Sequence, residues 1–267
     1  MARCGPATGA ALFIEIHGHR LHTVSFGPGP RTFLAHGGWV GNWELWQQPF
    51  ELMSDRWRCV SYDHRGAGES SVPPADITPA ALVDDLFAVM DALDIERCIL
   101  AGESLGAIVA ARAALDRPDR FDGLVLVDGG PGVTADIAGP LIEGARTDWP
   151  STIRGFVQDC VPEPDSEHIR KWGRDLLSRA DGETAARMFE CYLEGPEPFV
   201  PLEEIQVPAL VIHGTADAIV PVGIGEWMAA TIPHATFLPL EGAGHVPTMT
   251  RPREVVDAIE AFAASLA

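Results

Sequence analysis

The chain has little positive charge. Its 267 residues include 19 lysines and arginines against 38 aspartates and glutamates, which gives a formal net charge of -19 at pH 7. Lys171 is the only lysine. Nucleic-acid binding needs clustered lysine and arginine side chains that contact the phosphates. The composition therefore argues against a nucleic-acid partner and against docking on an anionic membrane surface.

Long apolar runs and paired cysteines are also lacking. No run approaches the roughly 18 apolar residues that a membrane-spanning helix needs. Glu15 and His17 interrupt the first apolar run, which argues against a secretion signal. The five cysteines are scattered and contain no C-x-x-C pair, so they indicate neither a disulfide framework nor a zinc site. These absences favour a cytoplasmic protein.

Short strand-like runs alternate with helix-like runs. This alternation predicts an α/β fold with a mostly parallel sheet flanked by helices. The opening runs, 11–17 and 21–26, predict a hairpin. The tryptophan-rich stretch from Asn42 to Leu52 predicts a helix. A further helix is expected to begin after Thr78, because Thr78 can cap it and Pro79 suits the first helical position.

The pattern changes over residues 131–206. This stretch has no strong strand-like run and carries several aromatic residues among charged ones. It is too long for an ordinary connection, so we expect it to contain helices of its own. The prediction is a helical cap, or lid, formed by residues 131–206 and inserted into a core domain formed by residues 1–130 and 207–267.

The segment Gly102–Gly106 has the pattern G-x-S-x-G, with Ser104 at its centre. The pattern arises often by chance, and a glycine-flanked serine at a helix start is the alternative interpretation. Here it directly follows the apolar run Cys98–Ala101 and directly precedes the alanine-rich run Leu105–Leu115. A sharp turn between a strand and a helix exposes the serine hydroxyl and needs small neighbours. The context therefore predicts that Ser104 is a nucleophile.

A serine hydroxyl needs a general base, and the base needs an acid that orients it. His245 lies in a glycine-rich loop after a predicted strand and is the candidate base. Asp217 follows the predicted strand at 208–212 and is the first candidate for the acid. Asp128 also ends a predicted strand and stays open as an alternative. The chain order serine, acid, histidine is that of the α/β hydrolases.

Acyl transfer also needs donors for the negative charge that develops on the carbonyl oxygen. The N–H of Leu105, directly after the nucleophile, is one candidate. The N–H of Gly38 is the second, with that of Trp39 next. Trp39, Trp43 and the aromatic residues from Trp149 to Tyr192 are expected to supply apolar walls. The residues predicted to contact the substrate are Trp39, Glu103, Trp149, Trp172 and Val246.

Taken together, these features resemble the α/β-hydrolase fold superfamily, in its esterase and lactonase branch of serine hydrolases. The segments that carry the resemblance are His36–Trp39, Tyr62–Ser70, Gly102–Gly106, His213–Asp217 and Gly244–His245. The resemblance implies an eight-stranded sheet whose second strand is antiparallel, with a lid after the sixth strand. Dehalogenase and epoxide hydrolase members carry aspartate at the position of Ser104, which disfavours those two reactions.

We therefore expect a serine hydrolase that cleaves a carboxylic ester or lactone of a small to medium hydrophobic substrate through an acyl-enzyme. It is expected to need no metal or organic cofactor and no partner beyond a small-molecule substrate, as a monomer or homodimer. A thioesterase or a carbon–carbon bond hydrolase with the same triad stays open, and Arg174 or Arg187 could serve the latter. A low-turnover ligand receptor of the same fold is a further alternative.

Overall fold

The computed structural model describes residues 10–70, 72–195 and 199–266. The eight strands form one sheet. Their bounds are β1 (Ala10–Ile16), β2 (His19–Phe26), β3 (Arg31–His36), β4 (Trp57–Tyr62), β5 (Cys98–Glu103), β6 (Phe121–Val127), β7 (Ala209–Gly214) and β8 (Ala235–Leu240).

The α-helices of the described residues lie between and after these strands. Their bounds are α1 (Gln47–Met53), α2 (Pro79–Ala92), α3 (Leu105–Asp116), α4 (Ala135–Thr147), α5 (Trp149–Cys160), α6 (Glu167–Leu177), α7 (Gly182–Leu193), α8 (Val222–Thr231), α9 (Pro247–Thr250) and α10 (Pro252–Ser265). Short 3-10 helices cover Trp43–Trp46, Pro74–Asp76, Pro118–Arg120 and Leu202–Glu204.

The strand order in the sheet is β1-β2-β4-β3-β5-β6-β7-β8. Strand β2 is antiparallel to both of its neighbours, β1 and β4, and all other pairs are parallel. The prediction of an eight-stranded, mostly parallel sheet with an antiparallel second strand is confirmed. Because β3 and β5 to β8 run in the same direction, their carboxyl ends meet at one edge of the sheet. Binding sites of open α/β sheets form at that edge.

The central strands are buried on both faces. Because successive side chains of a strand point to opposite faces, each strand contributes residues to two apolar layers. Strands β5 and β7 are buried over their whole length. One face packs against α2 and α3, and the other packs against α1 and α10. The residues facing the first layer include Leu34, Leu100 and Leu124. Those facing the second include Phe33, Ile99 and Val125.

The start of α2 agrees with the prediction, since the Thr78 hydroxyl accepts a hydrogen bond from the N–H of Ala81 at 3.1 Å. The helix predicted over Asn42–Leu52 differs. The Asn42 side chain accepts a hydrogen bond from the N–H of Glu44 and begins a 3-10 turn, and the α-helix starts only at Gln47. Pro49 then falls in the first helical turn, where a missing N–H removes no intrahelical bond.

Helices α4 to α7 all lie between β6 and β7, within the segment that lacked a strand pattern. The two ends of this insertion meet, since Gly132 and Phe199 form an isolated antiparallel bridge. The N–H of Val200 also donates to the carbonyl of Pro131 at 2.8 Å. We call residues 131–206 the inserted segment. The two ends of the inserted segment therefore lie side by side, after β6 and before β7.

Two features bear on the setting of the protein. Within the described ranges, no helix combines the length and the apolar character needed to cross a membrane. The cysteines of the described residues, Cys59, Cys98, Cys160 and Cys191, are buried and unpaired. The cytoplasmic location stays a prediction.

Candidate active site

Three side chains from separate loops meet at the carboxyl edge of the sheet. Ser104 follows β5, Asp217 follows β7 and His245 follows β8. The Ser104 hydroxyl lies 2.8 Å from Nε2 of His245. Nδ1 of the same imidazole lies 2.7 Å from Oδ2 of Asp217. Since a carboxylate can only accept, Nδ1 carries the proton, which leaves Nε2 free to accept from the serine hydroxyl.

Ser104 occupies a strained turn. Its backbone has φ 55° and ψ -122°, a conformation that non-glycine residues rarely adopt. The N–H of Ser104 donates to the carbonyl of Val127 at the end of β6, at 2.8 Å. A Cβ on Gly106 would overlap the carbonyl of Gly37, so the second glycine of the motif is required by this close approach. The turn thus holds the hydroxyl above the sheet edge.

Asp217 is held in its orientation by the backbone. Its Oδ1 accepts from the N–H groups of Ile219 and Val220 at 2.8 and 3.0 Å. Burial alone raises the pKa of this carboxyl. The neighbouring His245 and hydrogen bonds from His213 and His245 outweigh burial, and the pKa lies below its ordinary value. Asp217 is therefore an anion at neutral pH.

Asp128, the alternative acid, contacts a different group. Its Oδ1 accepts from the N–H of Gly214 at 2.7 Å, at the end of β7. Its backbone also has a positive φ of 45°. Burial, reinforced by the charge of Asp217, raises the pKa of Asp128 despite the nearby His213. Asp217, and not Asp128, is the carboxylate that reaches His245.

Asp128, His213 and Asp217 form a buried group whose donor atoms lie within 4.8 Å of one another. Such a group could in principle hold a metal ion. However, Nε2 of His213 lies 2.8 Å from the carbonyl of Val220 and must carry a proton there, so that nitrogen has no lone pair for a metal. Its pKa is raised because hydrogen bonding to Asp217 and the charge of Asp128 outweigh burial. The contacts indicate an internal hydrogen-bond network.

Gly38 and Leu105, the predicted donors to an oxyanion, both adjoin the serine. A Cβ built on Gly38 would lie 2.9 Å from Cβ of Ser104 and 3.5 Å from its hydroxyl. Leu105 is the first residue of α3, where the backbone N–H has no intrahelical acceptor. Trp39 follows with a positive φ of 24°. The backbone of both loops therefore runs within reach of a group bound to Ser104.

Two apolar pockets flank the serine. We call them the Trp172 pocket and the Ile224 pocket, and Trp39, Ser104 and Phe156 line both. The Trp172 pocket is further lined by Leu45, Val157, Ile169, Leu176 and Val246. The Ile224 pocket is further lined by Ile108, Val133, Ile137, Phe199 and Ile219. Trp39 and Phe156, whose ring centroids lie 4.8 Å apart, contribute to the walls of both pockets.

The predicted substrate contacts have different outcomes. Trp39, Glu103, Trp172 and Val246 line the Trp172 pocket. Trp149 lines neither pocket. It packs edge to face against Trp39, with centroids 5.3 Å apart, and its indole N–H donates to the carbonyl of Ala180. Its expected contact with substrate is therefore replaced by a supporting contact with Trp39.

Trp43, expected in an apolar wall, also lies outside both pockets and packs against Phe26 of β2. Phe156, one of the aromatic residues of the inserted segment expected in an apolar wall, lines both pockets, and its ring lies 6.4 Å from that of His245. It lies three residues after Ile153 and four before Cys160, a spacing that places all three on one helix face.

Glu103, inside the G-x-S-x-G motif, is buried beside Ser104. Its Oε1 accepts from the Thr248 hydroxyl at 3.0 Å, and its Oε2 has no partner within residues 10–70, 72–195 and 199–266. Burial, followed by the charge of Asp128, raises the pKa of Glu103 well above its ordinary value despite the hydrogen bond from Thr248. Burial therefore favours the neutral form of this carboxyl beside Ser104.

Comparisons with known proteins agree with this architecture. A model of the alpha/beta hydrolase family matches residues 33–258. The chain is 27% identical to 3-oxoadipate enol-lactonase 2 of Acinetobacter baylyi, over 90% of this chain and 92% of that one. It is 28% identical to a pimeloyl-(acyl-carrier protein) methyl ester esterase of Nitrosomonas europaea, over 91% and 99% of the two chains.

Solved structures are similar over the same extent. A thermophilic esterase of Thermogutta terrifontis superposes with a TM-score of 0.84 at 26% identity, covering 96% of this chain and 99% of that one. The enol-lactonase of Burkholderia xenovorans superposes with a TM-score of 0.87 at 23% identity, covering 95% and 100%, which is a likeness of fold. With the family model matched over most of its length, the chain belongs to the alpha/beta hydrolase family.

Proposed function

We propose that the protein is a serine hydrolase that cleaves a carboxylic ester or lactone of a small to medium hydrophobic substrate. The observation that carries the proposal is the unbroken chain of hydrogen bonds from Ser104 through His245 to Asp217. Relatives named as an enol-lactonase and a methyl ester esterase support the same reaction class.

In the proposed reaction, His245 takes the proton of Ser104 as the hydroxyl attacks the substrate carbonyl. General-base action of this kind typically contributes about 10²–10⁴-fold. Asp217 holds the imidazole in the required tautomer and stabilises the imidazolium. The imidazolium then protonates the leaving alcohol, which leaves an acyl-enzyme on Ser104. Water activated by the same histidine releases the acid.

The oxyanion that forms during attack is proposed to accept hydrogen bonds from the N–H groups of Gly38 and Leu105. One such donor typically contributes about 3–4 kcal/mol. The strained backbone at Ser104 supports this assignment, because it fixes the hydroxyl beside the first turn of α3. The macrodipole of α3 also favours negative charge at that end.

The two pockets support a hydrophobic substrate with groups on both sides of its carbonyl, because each pocket opens from Ser104. The net charge of -19 disfavours an acidic substrate. We further propose that the inserted segment acts as the cap domain over the core formed by residues 1–130 and 207–267, since helices α5 and α6 supply much of the Trp172 pocket.

The carbon–carbon hydrolase alternative is less well supported. It would use a cationic group in the inserted segment to hold a charged dienol. The two candidates are engaged elsewhere. Arg174 pairs with Glu167 at 2.7 Å, and Arg187 pairs with Glu194 at 2.7 Å. Neither arginine lines the Trp172 pocket or the Ile224 pocket.

The test is Ser104→Ala, with Ser178→Ala as a control on an exposed serine of the inserted segment. We expect Ser104→Ala to lower hydrolysis of short hydrophobic esters by at least about 10³-fold. It should also abolish labelling by a fluorophosphonate probe, while Ser178→Ala retains both. If the Ser104→Ala variant hydrolyses esters at the wild-type rate, the mechanism is overturned. A wild-type protein that the probe does not label would favour the receptor alternative.

The bond that is cleaved is identified by matched substrates. An ester, a thioester, a lactone and a β-diketone with the same hydrophobic groups should be compared by kcat/KM. The proposal expects the ester or the lactone to be the best substrate. A preference for the thioester or the β-diketone by tenfold or more would replace the ester assignment.

A further inference from the structure

The loop that carries His245, the predicted base, is hydrogen-bonded to the inserted segment. Two successive backbone N–H groups of the loop are the donors. The N–H of His245 donates to the carbonyl of Cys160, the last residue of α5, at 2.8 Å. The N–H of Gly244 donates to Oε1 of Glu163 at 2.9 Å. The histidine loop is therefore held by residues outside the sheet from which it emerges.

The contact between the loop and the inserted segment is close. A Cβ on Gly244 would overlap both the ring of Pro162 and the carbonyl of Cys160. The loop and the end of α5 are thus separated by a distance that only glycine permits. A small displacement of the segment 160–163 would break both hydrogen bonds together.

Glu163 is an unusual residue at such a contact. It is 5% exposed, and its Oε2 is buried without a hydrogen-bond partner in the part of the chain that the structure describes. Burying a polar group with part of its hydrogen-bonding capacity unused costs stability. The guanidinium of Arg170 contacts the main-chain carbonyl of Glu163 at 3.4 Å and not its carboxyl. Among the described residues, the Glu163 side chain makes one hydrogen bond, which is to the N–H of Gly244, the residue before the predicted base.

We propose that Glu163 is a positioning residue for His245, an inference that rests on the proposed function. By accepting from Gly244, it fixes the backbone that carries the imidazole. The imidazole then keeps Nδ1 on Asp217 while Nε2 faces Ser104. Geometry of this kind matters because a displacement of about 1 Å at the reacting groups can lower a rate about 10²-fold. The group that acts is the hydrogen-bond acceptor at 163, and its charge is not required.

Two substitutions separate the acceptor from the charge. Glu163→Gln keeps a carbonyl oxygen at the same reach and removes the charge. Glu163→Asp keeps the charge and withdraws the oxygen by one methylene. We expect Glu163→Gln to retain kcat within about threefold and Glu163→Asp to lower kcat by about 10–100-fold, with KM changing less than kcat. Glu167→Ala, at an exposed glutamate of the same segment, should match the wild type.

The opposite order, with Glu163→Asp active and Glu163→Gln impaired, would overturn the proposal, because charge and not position would then matter. Equal losses in both variants, or no loss in either, would overturn it as well. These comparisons use the same ester substrate as the wild type. A wild type without esterase activity would therefore be recognised first, as a failure of the proposed function.

A second readout does not depend on turnover. The proton on Nδ1 of His245 should give a far-downfield NMR resonance, because it lies in a short, buried hydrogen bond to Asp217. The resonance should persist in Glu163→Gln and shift or broaden in Glu163→Asp. If Glu163→Asp does not fold, hydrogen exchange in the wild type decides. The N–H of Gly244 should exchange as slowly as that of His245, and fast exchange at Gly244 would overturn the proposal.

Discussion

Nδ1 of His245 lies 2.7 Å from Oδ2 of Asp217, whereas the other buried aspartate at this edge, Asp128, binds the backbone N–H of Gly214. The two carboxyls end neighbouring strands, yet only one of them orients the imidazole. This difference gives the first prediction.

Asp217→Asn should lower kcat by about 10⁴-fold, because an amide stabilises neither the required tautomer nor the imidazolium. Asp128→Asn should lower kcat by less than about tenfold, since its side-chain carbonyl can still accept from Gly214. Ester hydrolysis and the rate of fluorophosphonate labelling measure both. Similar losses in the two variants would contradict the assignment of Asp217.

The two pockets predict separable effects on specificity. Leu176, 2% exposed, lines the Trp172 pocket, and Ile224 lines the other. Leu176→Ala should favour substrates lengthened on one side of the carbonyl, by about fourfold in kcat/KM per methylene that it accommodates, since a buried methylene contributes about 0.8 kcal/mol. Ile224→Ala should favour substrates that are lengthened on the other side of the carbonyl.

The measurement for this pair uses two ester series, one lengthened in the acid part and one in the alcohol part. Each variant should change its preference in one series and leave the other near the wild-type profile. If both variants change the same series, the two pockets do not hold opposite sides of the substrate. Leu176→Ala should also lower the free energy of unfolding by about 2–5 kcal/mol.

A buried ion pair between the turn after β4 and helix α2 predicts a large effect on stability. The Arg65 guanidinium contacts the Asp85 carboxylate through two hydrogen bonds, at 2.6 and 2.9 Å. Asp85→Ala should cost about 3–5 kcal/mol, because it leaves a buried guanidinium without its partner. The double variant Arg65→Met, Asp85→Leu should recover most of that loss. Urea unfolding of the wild type, Asp85→Ala and the double variant measures these differences. A cost below about 1 kcal/mol for Asp85→Ala would contradict the prediction.

Glu103 predicts a pH-dependent effect on stability. Burial raises the pKa of Glu103 in the folded chain well above its ordinary value, whereas in the unfolded chain the carboxyl ionises at about pH 4.3. Between these two values the folded chain binds the extra proton, so the group lowers stability as pH rises. Glu103→Gln removes this titration and keeps an oxygen for Thr248. It should therefore gain stability relative to the wild type as pH rises, by up to about 1.4 kcal/mol per pH unit.

Urea unfolding from about pH 5 to about pH 8 measures this difference. Glu51→Gln, at an exposed position, controls for the loss of one negative charge. A stability difference between Glu103→Gln and the wild type that stays constant across this range would contradict the prediction.

The sequence was informative where structure is local. The apolar run before Ser104, the two glycines and the alanine-rich run after it specify a strand, a turn and a helix within a few residues. The start of α2 was equally local, because Thr78 and Pro79 are adjacent to the helix that they begin. Repeated signals of this kind predicted a mostly parallel sheet, whereas its eight strands and its antiparallel second strand were implied by the family resemblance.

Contacts across long separations in sequence could not be derived in the same way. Asp128 and Asp217 both follow predicted strands, and the folded distances decide which of them reaches His245. Trp149 and Trp172 were equivalent as aromatic residues of the inserted segment, yet one lies behind Trp39 and the other lines a pocket. The role inferred for Glu163 depends on Gly244, which is 81 residues away.

The indole N–H of Trp39 donates to the carbonyl of Ala185 in α7 at 2.8 Å. The turn after β3 is thus tied to the inserted helices, just as the turn after β8 is tied to them at Cys160. Deletion of these helices would remove the hydrogen bonds that hold the loops carrying Trp39 and His245. We therefore expect the deletion to abolish activity and not merely to lower selectivity. Any exchange of this segment between relatives has to preserve both attachment points before a new specificity can be observed.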